Sequence, residues 1–300
     1  MLKLDEVYKR YDDINVLEGI SFQADKGEVL SIVGHNGAGK TTLLKIITGI
    51  ILQNTGKIEL NGKLRKKSHL KNISMMLEGN KNFYLELTLY ENIEYFYRIK
   101  GYKYTNLIKN KIDRYLIIFN LVDHAKKPIY KLSRGMQQKV AVILNFVLPS
   151  ELILLDEPTL GLDIFSVDEF QALIANAKND GKTILITSHQ LDLLQRLSDR
   201  LIILHKGKIV FNNNSEVFLN KYAPSQYRIL YNEDIPTKEI EKLDYIQYSY
   251  NFGSSNKELI VDENISLIDY LNVLDLTLIK SIEKNIPSLE TAYKKFWNEV

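Results

Sequence analysis

The sequence predicts an α/β fold built on a mainly parallel sheet, followed by a smaller α+β unit near the C-terminal end. Short aliphatic runs that are typical of buried strands, at 29–33, 152–155 and 183–187, alternate with segments of helical periodicity. Strands that alternate with helices in this way form parallel sheets covered on both faces. The character of the sequence changes after Tyr222-Ala223-Pro224-Ser225, which indicates a second unit.

The first unit is expected to open with antiparallel strands. Ile20, Phe22 and Ala24 alternate with polar neighbours, and an Asp25-Lys26-Gly27 turn separates them from the buried strand at 29–33. Further along, the pattern predicts a helix at 40–48, a helical region at 83–148, a strand at 152–155, a helix at 166–178, a strand at 183–187, and a last pair of strands near 201–204 and 208–211.

The second unit has the element order β-α-β-β-α-β, which is that of a split βαβ, ferredoxin-like unit. In its second strand, Ile246, Tyr248, Tyr250 and Phe252 share one face. A final helix at 288–300 carries the single tryptophan. The other predicted elements are a strand at 226–231, a helix at 237–243, strands at 245–252 and 258–262, a helix at 266–274 and a strand at 279–283.

Composition limits the class of protein. Three hundred residues suffice for one large domain and a smaller one, and a formal net charge of +2 argues against a large nucleic-acid-binding face. The absence of cysteine excludes disulfides and thiolate metal sites.

The most apolar stretch, at 140–155, is interrupted by polar residues and falls short of the ~20 residues that cross a bilayer. The N-terminus carries charges where a signal peptide needs an apolar core. If the protein acts at a membrane, we expect it to act through a partner or from the membrane surface.

A phosphate-binding loop is predicted between the strand at 29–33 and the helix that follows it. The glycines let successive backbone amides point at phosphate oxygens, and the helix N-terminus adds a favourable field. Lys40 is expected to bridge the β- and γ-phosphates, and Thr41 to ligate magnesium. A chance glycine-rich turn is disfavoured because a strand and a helix flank the loop. The pattern G-x-x-x-x-G-K-[ST] is complete in Gly34, His35, Asn36, Gly37, Ala38, Gly39, Lys40 and Thr41, with Thr42 next to them.

Two acids follow the buried strand at 152–155. A strand buried on both faces delivers the side chain at its C-terminal end to the crevice where ligands of α/β sheets bind. Asp156 is therefore expected to hold magnesium, directly or through water, and Glu157 to polarise the attacking water as a general base. A solvated acidic pair that caps a helix is the alternative, and the complete phosphate loop argues against it.

Two segments carry a family resemblance. The run Asp156-Glu157-Pro158-Thr159-Leu160-Gly161-Leu162-Asp163, preceded by Leu132-Ser133-Arg134-Gly135-Met136-Gln137-Gln138-Lys139, resembles the nucleotide-binding subunit of ATP-binding cassette (ABC) transporters. The resemblance covers about residues 1–215, with the motifs in the family's order and spacing. It implies a P-loop NTPase core in an ATPase domain at 1–220, with a helical subdomain at about 82–150. The change of sequence character after 222–225 predicts an accessory α+β domain at 223–300.

The resemblance also implies an activity and partners. Such a subunit binds ATP and Mg²⁺, sandwiches the nucleotide in a head-to-tail homodimer or heterodimer, and hydrolyses ATP to drive a separate permease at the cytoplasmic face of the cell membrane. No nucleic-acid partner is expected. The segment at 286–293 resembles the Pro-Ser-Leu-Glu-Asp tail of drug- and antibiotic-exporting systems and favours export. The alternatives are a non-transport cassette ATPase and a regulatory ATP switch with weak hydrolysis.

Further site residues are carried over from the family by position. Tyr11 stands where an aromatic ring stacks on adenine, and Tyr8 nearby is expected to be a core residue instead. Ser133 and Gly135 belong to the signature loop that reaches the γ-phosphate bound by the other subunit. Asp163 lies in the loop that links the two active sites.

His189 and two departures from the family pattern complete the set. A lone histidine is usually structural, but His189 ends an aliphatic strand where the family places the γ-phosphate contact. Glu78 stands where the family usually has a glutamine that touches magnesium or the lytic water. Compared with glutamine, the glutamate adds a negative charge and lacks the amide donor. Slower or more tightly coupled hydrolysis is therefore a hypothesis for this chain. Arg134 replaces a glycine of the signature, which keeps its serine and second glycine.

Three features outside the site are less specific. The basic run at 63–71 is interpreted as a solvated loop in preference to a lipid-headgroup or nucleic-acid contact. The aromatic cluster at 83–97 is expected to divide between the core of the helical subdomain and an apolar groove that, in the family, receives the permease. For the accessory domain, dimer support, regulation and stabilisation all remain open.

Overall fold

The computed structural model describes residues 1–79, 83–245, 250–262, 267–285 and 287–299, and the chain forms two compact units, Met1–Ser215 and Glu216–Val300. The elements of the first unit are β1 (Leu2–Tyr11), β2 (Ile14–Ala24), β3 (Val29–Val33), α1 (Lys40–Ile47), β4 (Thr55–Leu60), β5 (Lys63–Leu64), β6 (Ile73–Met76), α2 (Leu89–Ile99), α3 (Asn106–Ile118), α4 (Arg134–Val147), β7 (Leu152–Asp156), α5 (Ile164–Asn179), β8 (Thr183–Thr187), α6 (Leu191–Leu197), β9 (Arg200–His205) and β10 (Lys208–Asn214).

The larger sheet of the first unit has the strand order β10-β9-β3-β8-β7-β6. Its pairs are parallel except for β9 with β10, so the predicted mainly parallel sheet is confirmed. Every residue of β3, β7 and β8 is buried, which explains why these strands are continuous aliphatic runs. The carboxyl ends of these three neighbouring strands therefore meet at one edge of the sheet.

The second sheet of this unit has the order β2-β1-β4-β5 and is antiparallel throughout, as predicted for the N-terminal strands. Helix α1 shares one apolar core with both sheets. Leu43 and Ile46 of the helix belong to the same buried cluster as Leu4 of β1 and Ile32 of β3. Because the helix is fixed on two sides, the loop that precedes it is held at a defined position.

The helical region consists of α2, α3 and α4, and the connection from α3 to α4 contains short 3₁₀ turns at Val122–His124 and Ile129–Lys131. As expected for the core of the helical subdomain, Tyr97 of the aromatic cluster is buried, and it donates to the carbonyl oxygen of Val147 at 2.8 Å. The exposed Tyr84 and Tyr95 rings meet edge to face at 4.8 Å. Among the described residues, no helix has both the length and the apolar character that crossing a bilayer requires.

The second unit begins within α7 (Ser215–Tyr222) and contains a four-stranded antiparallel sheet of order β12-β13-β11-β14. This order and the helices between the strands are those of a ferredoxin-like unit. Ile229, Leu259, Val261 and Tyr270 form the centre of its core. The remaining elements are β11 (Gln226–Tyr231), α8 (Thr237–Tyr245), β12 (Tyr250–Phe252), β13 (Glu258–Asp262), α9 (Leu267–Val273), β14 (Ile279–Asn285) and α10 (Leu289–Glu299).

One strand of the second unit differs from the prediction. Tyr245 ends α8 instead of opening a strand, and β12 comprises only residues 250–252. The predicted strand positions 246–249 lie outside the described residues, as do Ser266, Ile286 and Val300 at the predicted ends of other segments.

Candidate active site

A pocket of about 320 Å³ lies at the carboxyl edge of the larger sheet and the start of α1. It brings together residues from five separate parts of the sequence, and all of its lining residues except Val16 were predicted as site residues. The lining residues are Val16, Asn36, Gly37, Ala38, Gly39, Lys40, Thr41, Thr42, Glu78, Asp156, Glu157 and His189.

The loop before α1 can be built only with glycine at particular positions. Gly39 has a φ of 102°, and a Cβ there would lie 2.9 Å from the backbone carbonyl oxygen of Val16 in β2. A Cβ on Gly34 would lie 2.4 Å from the carbonyl oxygen of Leu204. Both contacts are too short for any side chain, so the close approach of this loop to β2 and β9 requires glycine.

The side chain of Lys40 is hydrogen-bonded to the backbone of its own phosphate loop. Its Nζ donates to the carbonyl oxygens of Gly34 at 2.6 Å and of His35 at 3.3 Å, and the residue is buried. Burial lowers the pKa of Lys40, while the nearby carboxylates of Glu157, Asp156 and Glu78 oppose that shift. The ammonium group thus faces three carboxylates across the pocket.

Asp156 is held by two hydroxyl groups. Thr41 Oγ1 donates to Oδ2 of Asp156 at 2.7 Å, and Thr187 Oγ1 donates to Oδ1 at 2.7 Å. A threonine hydroxyl beside a carboxylate oxygen is the donor set that Mg²⁺ prefers, because this ion takes oxygen ligands and is usually bound by one or two carboxylates together with substrate phosphates. Thr41 and Asp156 therefore fit the predicted metal. Thr187 was not predicted as a site residue. The feature that identifies it is its register position opposite Asp156 on the adjacent parallel strand.

Glu157 and His189 face each other at the rim of the pocket. The backbone N–H of His189 donates to Glu157 Oε2 at 3.2 Å, and His189 Nε2 lies 3.4 Å from Glu157 Oε1. The Glu157 side chain is only 12% exposed, and this burial raises the pKa of its carboxyl group, while His189 and Lys40 oppose the shift. A carboxylate with a raised pKa is better suited to accept a proton from water.

Six of the predicted site residues do not line this pocket: Gly34, His35, Tyr11, Ser133, Gly135 and Asp163. The first two belong to the phosphate loop, where their carbonyl oxygens accept from Lys40. Ser133 is the N-cap of α4, where its Oγ accepts from the N–H of Met136. Asp163 is the N-cap of α5 and also contacts Lys139 at 3.0 Å. Hydrogen bonds from Ser166 and Lys139 hold the pKa of Asp163 well below its usual range.

Tyr11 ends β1 and is 41% exposed, with Lys9 Nζ 4.7 Å from its ring centre. The expectation that Tyr8 belongs to the core is wrong: Tyr8 is 40% exposed and its hydroxyl donates to Glu6. The cause is a break in the register of β1 between Leu4 and Val7, where Glu6 has a φ of 48°. The irregularity shifts the alternation of buried residues by one position, so that Val7 is buried in the core and Tyr8 is not.

A glycine-rich loop between a buried strand and a helix, with a carboxylate at the end of another parallel strand of the same sheet, defines a P-loop NTPase. The family model of the ABC transporter matches residues 17–160. An uncharacterized ABC transporter ATP-binding protein of Methanocaldococcus jannaschii is 32% identical over 271 residues, which are 87% of this chain and 98% of that protein. The chain belongs to the ATP-binding subunits of ABC transporters.

Other matches add detail. A lantibiotic transport ATP-binding protein of Streptococcus pyogenes is 30% identical, over 74% of this chain and 97% of that protein. A dimeric ATP-binding cassette solved in a post-hydrolysis state with ADP and phosphate is 25% identical, with a TM-score of 0.65 over 71% of this chain and 98% of that one. The protein is thus an ATPase that uses ATP and Mg²⁺ and works as a dimer of cassettes with a transmembrane permease.

Proposed function

We propose that this chain couples ATP hydrolysis, in a head-to-tail nucleotide-sandwich dimer at the cytoplasmic face of the cell membrane, to export through a separate permease. The segment at 286–293 and the lantibiotic transport protein among the relatives both favour export. The substrate classes that fit are drugs, antibiotics, peptides and lipid-like molecules. In this proposal residues 1–220 are the ATPase domain, with a helical subdomain at about 82–150, and residues 223–300 are an accessory domain.

The phosphate loop and Asp156 bind the nucleotide in this proposal. Thr41 and Asp156 hold Mg²⁺, with Glu78 as a further oxygen ligand, and the ion supplies charge neutralisation at the phosphates. Lys40 exchanges the carbonyl oxygens of Gly34 and His35 for phosphate oxygens, since charged acceptors make stronger hydrogen bonds.

Glu157 accepts the proton of the attacking water, and His189 donates toward the γ-phosphate. The proposal depends most on one observation: a half-buried carboxylate with a raised pKa lies beside His189, at the rim of a pocket that also contains Lys40 and Asp156. In this proposal, a water held by that carboxylate attacks a phosphate that Lys40 holds in the same pocket.

The remaining site residues act on the nucleotide bound by the partner subunit or on its base. Ser133 and Gly135 begin α4 and would contact the partner's γ-phosphate, and Asp163 would link the two sites of the dimer. Tyr11 supplies an exposed ring for stacking on adenine.

The test is steady-state ATP turnover of the wild type and of Glu157→Gln. Removing a general base lowers turnover by about a hundredfold or more. The variant should still bind ATP, because the glutamine keeps the size of the side chain and the phosphate loop is untouched. Wild-type turnover in Glu157→Gln would refute the role of Glu157.

The direction of transport is tested separately, in inside-out membrane vesicles that contain the chain and its co-purified permease. Export predicts ATP-dependent accumulation of a lantibiotic peptide or a hydrophobic dye inside these vesicles. Vesicles carrying Glu157→Gln are the matched control. Accumulation only in right-side-out vesicles loaded with ATP would show import and contradict the proposed direction.

A further inference from the structure

The backbone at Glu157 is in an uncommon conformation. Its φ of 49° is in the left-handed region, which is unfavourable for a residue other than glycine and persists only where neighbours hold it. One of these neighbours is Thr187, whose carbonyl oxygen accepts from the N–H of Glu157 at 3.1 Å. This bond fixes the nitrogen side of the residue and leaves the carbonyl side to be held by another group.

Gln138 of α4 holds the carbonyl side. Its Nε2 donates to the carbonyl oxygen of Glu157 at 3.1 Å and to that of Pro158 at 2.8 Å. A side-chain amide nitrogen has two N–H donors, so these two carbonyl oxygens use its full capacity. These hydrogen bonds fix the peptide unit that follows Glu157 to α4, a helix that is distant from it in sequence.

The N-terminal part of α4, which includes Gln138, contacts the loop after Glu157 at two further points. A Cβ on Gly135 would lie 2.9 Å from the carbonyl oxygen of Gly161, so the two backbones are in close contact. Lys139 pairs with Asp163 at 3.0 Å. The first turns of α4 and the loop at 157–163 are therefore joined near the start, the middle and the end of the loop.

We propose that Gln138 is a positioning residue for hydrolysis: its amide fixes the backbone of Glu157 so that the carboxylate stays at the rim of the pocket beside His189. The inference rests on the proposed role of Glu157 as the general base. Because Ser133 and Gly135 lie at the start of the same helix, Gln138 also connects the segment proposed to contact the partner's nucleotide with the chain's own base.

The test compares Gln138→Met, which keeps the length of the side chain and removes both donors, with Asn145→Leu. Asn145 is another side-chain amide on α4; it is buried, and its Nδ2 donates to the carbonyl oxygen of Ala141 at 2.9 Å, away from the pocket. Gln138→Met should lower kcat by about tenfold to a hundredfold, because misplacing a catalytic group by about 1 Å has an effect of this size. KM for ATP should change by less than about twofold, since substrate binding is not what the variant alters.

Asn145→Leu should lose thermal stability while keeping kcat within about twofold of wild type. Gln138→Glu, which also lacks the two donors, gives a second measurement if Gln138→Met folds poorly. Equal kcat values for the folded Gln138 variant and Asn145→Leu would overturn the proposal, because the amide would then be merely structural.

A double variant separates this inference from the proposed function. In a Glu157→Gln background, Gln138→Met should lower turnover by less than about twofold further, because a positioning residue acts only through the group that it positions. A full additional loss would show that Gln138 acts independently of Glu157 and would overturn the inference. Normal turnover in Glu157→Gln alone would refute the proposed base and, with it, its positioning residue.

Discussion

Replacing Thr187 by valine removes the hydroxyl that donates to Asp156 while keeping the shape of the side chain. Thr187 is completely buried, and its Oγ1 lies 2.7 Å from Asp156 Oδ1. A hydrogen bond to a charged group contributes about 1.5–3 kcal/mol, and the second hydroxyl, that of Thr41, is needed by the metal itself. Outer-shell partners of metal ligands typically change metal affinity by about tenfold to a hundredfold, which agrees with this energy. We therefore expect the Mg²⁺ concentration for half-maximal turnover to rise about tenfold or more in Thr187→Val.

The assay is ATP turnover at saturating ATP over a range of free Mg²⁺. The matched control is Thr183→Val, at the other end of the same strand: Thr183 is also completely buried, and its Oγ1 donates to the carbonyl oxygen of Asp25 at 2.7 Å. Both variants lose a hydrogen bond of 2.7 Å that a buried threonine donates, but only Thr187 contacts site residues: it donates to Asp156, and its Oγ1 also accepts from the N–H of Glu157 at 3.3 Å. Equal Mg²⁺ dependence in the two variants would refute the role of Thr187 in holding Asp156.

Two other predictions concern charge. Glu78→Gln should strengthen ATP binding in EDTA by about threefold to tenfold, because it removes one negative charge facing the phosphates, and should raise the Mg²⁺ midpoint; unchanged ATP affinity and Mg²⁺ dependence would contradict it. Asp163→Ala should lower the free energy of unfolding near neutral pH by about 1 kcal/mol through loss of the α5 cap, while Asp163→Ser retains most of it. Since the pKa of Asp163 is lowered in the folded state, its stabilisation is present above the ordinary aspartate pKa and is lost in acid, so chemical denaturation of wild type and Asp163→Ala should converge as the pH falls.

The phosphate loop could be predicted from the sequence because everything that defines it is contiguous. The strand, the glycines, Lys40 and the following helix occupy residues 29–47, and local backbone geometry determines where the amides point. Asp156 and His189 were predictable for a related reason. Both lie at or just beyond the ends of continuous aliphatic strands, and such strands end at the same edge of a parallel sheet.

Thr187 and Gln138 could not be predicted in the same way, because their contacts depend on pairing between distant segments. Thr187 meets Asp156 across 31 residues of sequence only through the register of β7 with β8. Gln138 reaches Glu157 through the packing of α4 against the loop after β7, which no local pattern reveals. Tyr8 was misassigned for a different reason: the irregularity at Glu6 shifts the alternation of buried residues by one position.

The charges around the pocket explain why Glu78 distinguishes this site. Lys40 brings one positive charge, and the carboxylates of Glu78, Asp156 and Glu157 are all close enough to act on its pKa. A glutamine in place of Glu78 would leave two carboxylates opposite Lys40. With three, the protein itself repels the phosphates of ATP more strongly unless a divalent cation accompanies them. The sequence departure at Glu78 is therefore expected to make nucleotide binding more strictly dependent on Mg²⁺, and its effect on the rate follows from that dependence.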